Sequence, residues 1–319
     1  MSLSANYAGS CSTTSAQYVH PNSPSPGPRR PLQVPAEPNA QLVFLARLVD
    51  AARAAVGSGQ GASGAAVLGI SKDQQAAAME DLADAIQQCN RDAWVRTFPL
   101  LMVEVSSWIQ QPACGVRTWA FWLLKELLLR QSHLFTDNNL ESQLNLLLQG
   151  CGDPHRDVVM TASQALQILL SICNEHHAMT LLQHLVQRER DSHLRSRDKG
   201  ARLVAVLDGT RQLITRLDRT ELQRLAFQPH PETRTSLLEA LVANLSDPET
   251  CVRRSAVLTT SGLWYRLGHR VRDVIQVLAA SSFNLLCIYY LKLHGVAVDA
   301  GQQDVSQHPL IQGPSGARE

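Results

Sequence analysis

An all-α solenoid is the fold class this sequence predicts, made of about five stacked helical hairpins between disordered ends. Three observations predict it. Hydrophobic residues make up 45% of the 319-residue chain and aromatics only 5%, so the core is Leu, Ala and Val, a mixture that favours helix over strand. Apolar residues recur at helical spacing almost without a break from about residue 71 to 295, and strand-like alternation is missing. An opening is also used twice. "GDPHRDVVMTASQALQILLSI" (152–172) and "SDPETCVRRSAVLTTSGLWYRLG" (246–268) both carry Asp-Pro, place a Val five residues after the Asp and continue as an apolar helix.

Taken in order, residues 1–38 are rich in Ser, Pro, Gly and Asn; they cannot offset their ordering entropy and read as a disordered tail. Residues 39–70 hold a helix set apart at 41–56, free or capping the first repeat, and a Gly/Ala linker, "GSGQGASGAA". The block 71–295 is the solenoid. Ser71 reads as an N-cap for a helix to about residue 90. Further helices are expected over 94–111, 114–131, 140–150, 154–173, 176–190, 194–217, 233–245, 248–267 and 269–293. Pro112, "TDNN" and "QPHPE" punctuate them. The tail 296–319 is again disordered.

Val116, Val158 and Val252 open equivalent helices. The first two lie 42 residues apart and the last two 94 apart, twice 47. The missing start falls within 194–205. A period near 40–47 with two helices per unit is the signature of HEAT-type repeats. One hairpin cannot bury its apolar face alone, so neighbours stack and share a core. Asp-Pro suits the turn, because Asp caps the second helix and Pro is tolerated in its first turn.

Several function classes find no support. A formal net charge of +1 gives no global field for nucleic acid or a membrane surface, and no apolar run reaches a bilayer-spanning length. The first residues lack the apolar region of a signal peptide. Seven scattered Cys without a CxxC pair point to reduced thiols in the cytoplasm. "CNEHH" (173–177), with His155 near in sequence, lacks the second cluster that a zinc site needs. "GSGQGASG" has no Gly-Lys-Ser/Thr ending, and GxSxG and HExxH do not occur. No cofactor, no metal and no catalysis are expected. An enzyme built on His155, His176 and His177 is the competing reading of that kind.

Binding residues are easier to nominate. Arg117, Arg253 and Arg254 follow the repeat Val and suit either a ladder to Asp153 and Asp247 or a basic rim along the turns; Val159 interrupts either one. The stretch 188–219 carries nine Lys/Arg against five Asp/Glu, with Arg188, Arg190, Arg195, Arg197 and Arg202 at its front. It suits a solvated face or a docking surface for an acidic partner. Trp94, Trp108, Trp119 and Trp122 read first as core, Trp94 being the one best placed for exposure at a helix start. "SPSPGPRRP" (23–31) suits a proline-directed kinase or polyproline II docking, or is simply tail.

"LADAIQQCNRDAWVRTFPLLMVEV", "GVRTWAFWLLKELLLRQSHLF", "GCGDPHRDVVMTASQALQILL", "LSDPETCVRRSAVLTTSGLWYRLG" and "SSFNLLCIYYLKLHG" follow one another in the order and spacing of the C-terminal TOG-like domain of the CLASP family (cytoplasmic-linker-associated proteins). The block 81–295 resembles that domain. The resemblance implies a non-enzymatic microtubule regulator in the cytoplasm, on microtubules and spindle, whose partners are tubulin or plus-end and kinetochore proteins. It places a partner-binding rim at Trp94, Arg117, Arg156, Lys199, Arg253 and Arg254. A HEAT-repeat scaffold unrelated to tubulin, serving transport or complex assembly through its inner helices, is the alternative.

Overall fold

Thirteen α-helices account for the regular structure of this computed structural model, with three single 3-10 turns, among the residues it describes: 32–57, 72–191, 196–278 and 280–295. They are α1 Pro38–Gly57, α2 Lys72–Gln88, α3 Arg91–Ile109, α4 Cys114–Arg130, α5 Leu140–Cys151, α6 Arg156–Ile172, α7 Glu175–Asp191, α8 Ser196–Arg216, α9 Arg219–Phe227, α10 Leu237–Ala243, α11 Thr250–Leu267, α12 His269–Leu278 and α13 Ala280–His294. All lie in one unit, Val34–Glu319. Residues 1–31 of the first tail, the whole tail 296–319, most of the Gly/Ala linker and the expected cap Ser71 lie outside the described residues.

The chain is an all-α solenoid of HEAT-like hairpins. Helices pack as pairs α3–α4, α5–α6, α7–α8 and α10–α11, α1–α2 adds a hairpin at the front, and α12 and α13 follow at the end of the row. The second helix of each pair stacks on the next: α2 on α4, α4 on α6, α6 on α8, α8 on α11, α11 on α13. This second row is the spine of the molecule. Its core residues follow helical spacing, as with Val158, Ala162, Ala165 and Leu169 on α6, all buried. Each large aliphatic side chain fully buried in this way contributes about 1.5–3 kcal/mol.

Small residues set how closely the rows approach. A Cβ on Gly150 of α5 would lie 2.4 Å from Phe121 of α4 and 2.6 Å from Ala162 of α6. Only a residue without a side chain lets the three helices meet there.

Helix α1 is docked rather than apart. Leu45, Val49 and Ala52 are buried against α2 and α3. Gln41 locks its start: its amide nitrogen donates to the Pro35 carbonyl at 2.8 Å and its oxygen accepts from the Asn90 backbone N–H at 2.9 Å. Asn90 in turn caps α3 by accepting from the Ala93 N–H at 2.9 Å.

Two elements differ from the sequence expectation. Helix α9 occupies a stretch left without a helix. Asp218 caps it, accepting from the N–H groups of Thr220 and Glu221. The expected helix 233–245 starts later, because a capping box between Ser236 and Glu239 fixes its first turn at Leu237, and it ends in a 3-10 turn, Asn244–Ser246. Over the expected helix 269–293 the described residues are helical as α12 and α13, and residue 279 between them lies outside the described residues.

Candidate functional site

The turns within the hairpins form one edge of the solenoid, at the N-terminal ends of α4, α6, α8 and α11. Arg117 and Arg253 occupy the same place on two of these turns. The Arg117 Nη1 donates to the carbonyls of Gln111 and Pro112 at 2.7 and 2.8 Å. The Arg253 Nη1 donates to the carbonyls of Asp247 and Pro248 at the same two distances. In each turn the arginine folds back five and six residues and holds the loop that carries the proline. These carbonyls have no intrahelical partner, so a long cationic donor satisfies them.

Arg117 does more. Its Nε and Nη2 grip the Asp153 carboxylate of the next turn at 2.7 and 3.2 Å, with both side chains about 10% exposed. His155 closes the node: its backbone N–H donates to Asp153 Oδ1 at 2.8 Å, and Arg117 Nη2 lies 3.0 Å from its Nδ1. Burial works to raise the Asp153 pKa, but the guanidinium and the donors from His155 outweigh it and hold the carboxyl below its ordinary value. One rung of a ladder between turns is therefore built. Arg253 makes no second rung among the described residues: its bonds go to the Asp247 and Pro248 carbonyls and to the Thr250 hydroxyl oxygen.

The remaining nominated residues divide into engaged and free. Trp94 is fully buried, at the far end of α3 from its turn, so it offers no surface and has no part in a rim; the apolar register of α3 turns it inward. Lys199 is half-buried and shares a cleft of about 230 Å³ with Gly200, Leu203, Asp247, Pro248 and Glu249. Arg188 donates to Asn145 of α5 at 2.5 Å. Arg202 is half-buried, its side chain pressed against Gly152 of the preceding turn, where Val159 leaves no arginine to serve. Arg190 is exposed on α7. Arg195 and the side chain of Arg197 lie outside the described residues. Arg156 and Arg254 are exposed and make no side-chain hydrogen bond or ion pair among the described residues.

The edge is not uniformly basic. Asp153, Asp157, Asp247 and Glu249 share it with these cations, so Arg156 and Arg254 stand out as separate positive points on α6 and α11. With α8 between those helices, the two lie roughly two interhelical spacings apart, about 20 Å.

The opposite edge carries a network that sequence reasoning missed. Gln131 at the end of α4 donates to the Ile86 carbonyl of α2 at 3.0 Å. Arg216 of α8 donates to the Leu170 carbonyl of α6 and pairs with Glu175 at 2.6 Å. Arg266 of α11 donates to the Thr215 and Leu217 carbonyls at the end of α8, at 3.2 and 2.5 Å. Each link joins residues 45 to 51 apart. The repeat thus reappears as helix C-termini capped by polar side chains from the following repeat. The recurrence of a long donor near the ends of α4, α8 and α11 was the available signal.

The histidines do not converge. His155 sits before the first residue of α6, whereas His176 lies beyond its last, pairing with Glu221 of α9 at 2.5 Å. Seventeen residues of α6 separate them, roughly 25 Å of helix. Among the described residues no group of three or more His, Cys, Asp or Glu is placed to hold a metal ion. No described helix is long and apolar enough to cross a membrane.

No family model matches the chain. Among solved structures, the MAST/Orbit N-terminal domain aligns with a TM-score of 0.51 at 16% identity, covering 70% of this chain and 92% of that domain. At this identity the likeness is one of fold, a helical repeat. A designed armadillo repeat protein, YIII(Dq)4CqI, aligns over 74% of this chain and 91% of its own at 12% identity, with a TM-score of 0.36, too low to bear on the architecture.

Proposed function

We propose that this chain is a non-enzymatic, microtubule-associated regulator or adaptor of the kind formed by the CLASP C-terminal TOG-like domain. It binds tubulin, or plus-end and kinetochore proteins, and so acts on microtubule dynamics and spindle organisation. The observation that carries the reading is the pair of free arginines, Arg156 and Arg254, displayed on hairpin turns of a rigid helical-repeat frame. Arg117 and Arg253 hold the turns that present them and are positioning residues rather than contacts. The ordered resemblance of 81–295 to the CLASP domain supports the partner class, and the fold shared with the MAST/Orbit N-terminal domain supports the frame.

Binding of this kind is charge-carried. Exposed cations facing an acidic surface are screened beyond about 8–10 Å at physiological salt, so affinity falls as salt rises. Co-sedimentation of the full chain with microtubules, beside capture of free tubulin, tests this at low and physiological salt. Salt-sensitive binding to either is expected. Absence of binding to both at low salt would remove tubulin as the partner.

A further inference from the structure

The spine helices carry a second surface that the rim does not use. Along one face of α4 run Trp119, Trp122, Lys125 and Leu129, spaced by three or four residues. The two indoles meet edge to face with centroids 5.1 Å apart and are only half-buried. Leu129 is 53% exposed. The facing bank, on α6, presents Gln164, Gln167, Ile168 and Ser171, and between the banks lies an open groove of about 330 Å³.

The composition of this groove is that of a protein contact. From Val158 to Ile172, α6 has no charged residue, although Gln164, Gln167 and Ser171 are exposed and Met160 and Ile172 are each 39% exposed. A helix face meant for water normally carries charge. Faces depleted of charge and bearing Trp and Met are what interface centres look like. The charges sit at the edge, on α4. Lys125 lies 3.9 Å from its neighbour Glu126, and Arg130 is exposed at the end of the helix with no side-chain partner among the described residues. The bank therefore ends net positive.

We infer that the α4–α6 groove is a docking site for an amphipathic helix of a partner protein, one with an aliphatic stripe flanked by acidic residues. The stripe covers Trp122, Leu129 and Ile168, and the acidic flank faces Lys125 and Arg130. This surface is separate from the arginine rim and does not depend on the partner proposed there.

The test uses the full chain and two labelled peptides, one of leucine and glutamate at amphipathic helical spacing and its leucine–lysine counterpart, followed by fluorescence polarisation. The acidic peptide is expected to bind, and the lysine peptide to bind at least about tenfold more weakly. Ile168→Glu and the exposed Gln167→Glu should each weaken the acidic peptide by about tenfold or more, while Arg254→Glu leaves it unchanged. Circular dichroism confirms that the variants are folded, and Gln167→Glu answers the question should Ile168→Glu not fold. Absence of binding by the acidic peptide, equal binding of both peptides, or unchanged binding to Gln167→Glu overturns the proposal.

Discussion

Arg117 and Asp153 lie 36 residues apart in sequence and meet through two hydrogen bonds, Nε to Oδ2 at 2.7 Å and Nη2 to Oδ1 at 3.2 Å. The pair is well shielded from water and ties the α3–α4 turn to the α5–α6 turn. Removing the guanidinium leaves a half-buried carboxylate with one partner fewer and two turn carbonyls to re-solvate. Arg117→Ala is expected to cost about 2–3 kcal/mol in urea unfolding.

The same pair makes a pH prediction. The folded-state pKa of Asp153 is depressed, so its contribution is present above the unfolded value of about 4 and is lost as pH falls through the folded pKa. Without Arg117 the main source of that depression is gone. The stability difference between the native chain and Arg117→Ala should therefore be constant near neutral pH and shrink as pH drops below about 4. Unfolding curves across an acid series check it; a difference that stays constant to the acid limit would show that the pair carries no charge-linked stability.

Trp94 separates packing from binding. Its side chain is fully buried and its indole N–H has no hydrogen-bond partner. Trp94→Ala opens a large cavity and is expected to cost about 3–5 kcal/mol. Trp94→Phe gives up volume but also removes an unpaired buried donor, so its cost should be clearly smaller. Thermal and urea unfolding of the two variants give the comparison.

Gly150 tests the close approach of the rows. A methyl there collides with the Phe121 ring and with Ala162, both in the core. Gly150→Ala improves intrinsic helix propensity by about 1 kcal/mol, yet the overpacking should outweigh it and lower stability by about 1–3 kcal/mol. A stabilised variant would mean that α5 can move away from α4 and α6 without loss.

Thiol chemistry reads the same packing. Burial pushes Cys89 and Cys151 up to about 11 and raises Cys287 as well, whereas Cys114 and Cys251 are exposed at the starts of α4 and α11. Alkylation at mildly alkaline pH, followed by peptide mapping, should label Cys114 and Cys251 rapidly and leave the three buried thiols unlabelled until the chain unfolds.

How much of this was legible in the sequence depended on whether the signal was periodic. The repeat openings at Val116, Val158 and Val252 fixed three spine helices, and Pro112, Pro154 and Pro248 marked their turns. Helix α9 escaped because it is only nine residues long; its caps, Asp218 with Glu221 three residues on, were the usable sign. The arginine ladder was half legible. Residue type and position predicted Arg117 to Asp153, but Arg253, in the same register, holds only its own turn among the described residues. Trp94 reads first as core, and its burial agrees; what fails is its place on the rim implied by the resemblance, since the register of Leu101, Val105 and Trp108 on the same helix turns inward.

The most direct measurement is microtubule co-sedimentation of the full chain against its Arg156→Glu/Arg254→Glu double variant at low salt. Both side chains are exposed and make no side-chain bond among the described residues, so the variant should fold and unfold as the native chain does. If these arginines carry the contact, the native chain sediments with microtubules and the variant stays in the supernatant. Equal sedimentation of the two would contradict a rim-borne contact and shift the binding surface away from the turns.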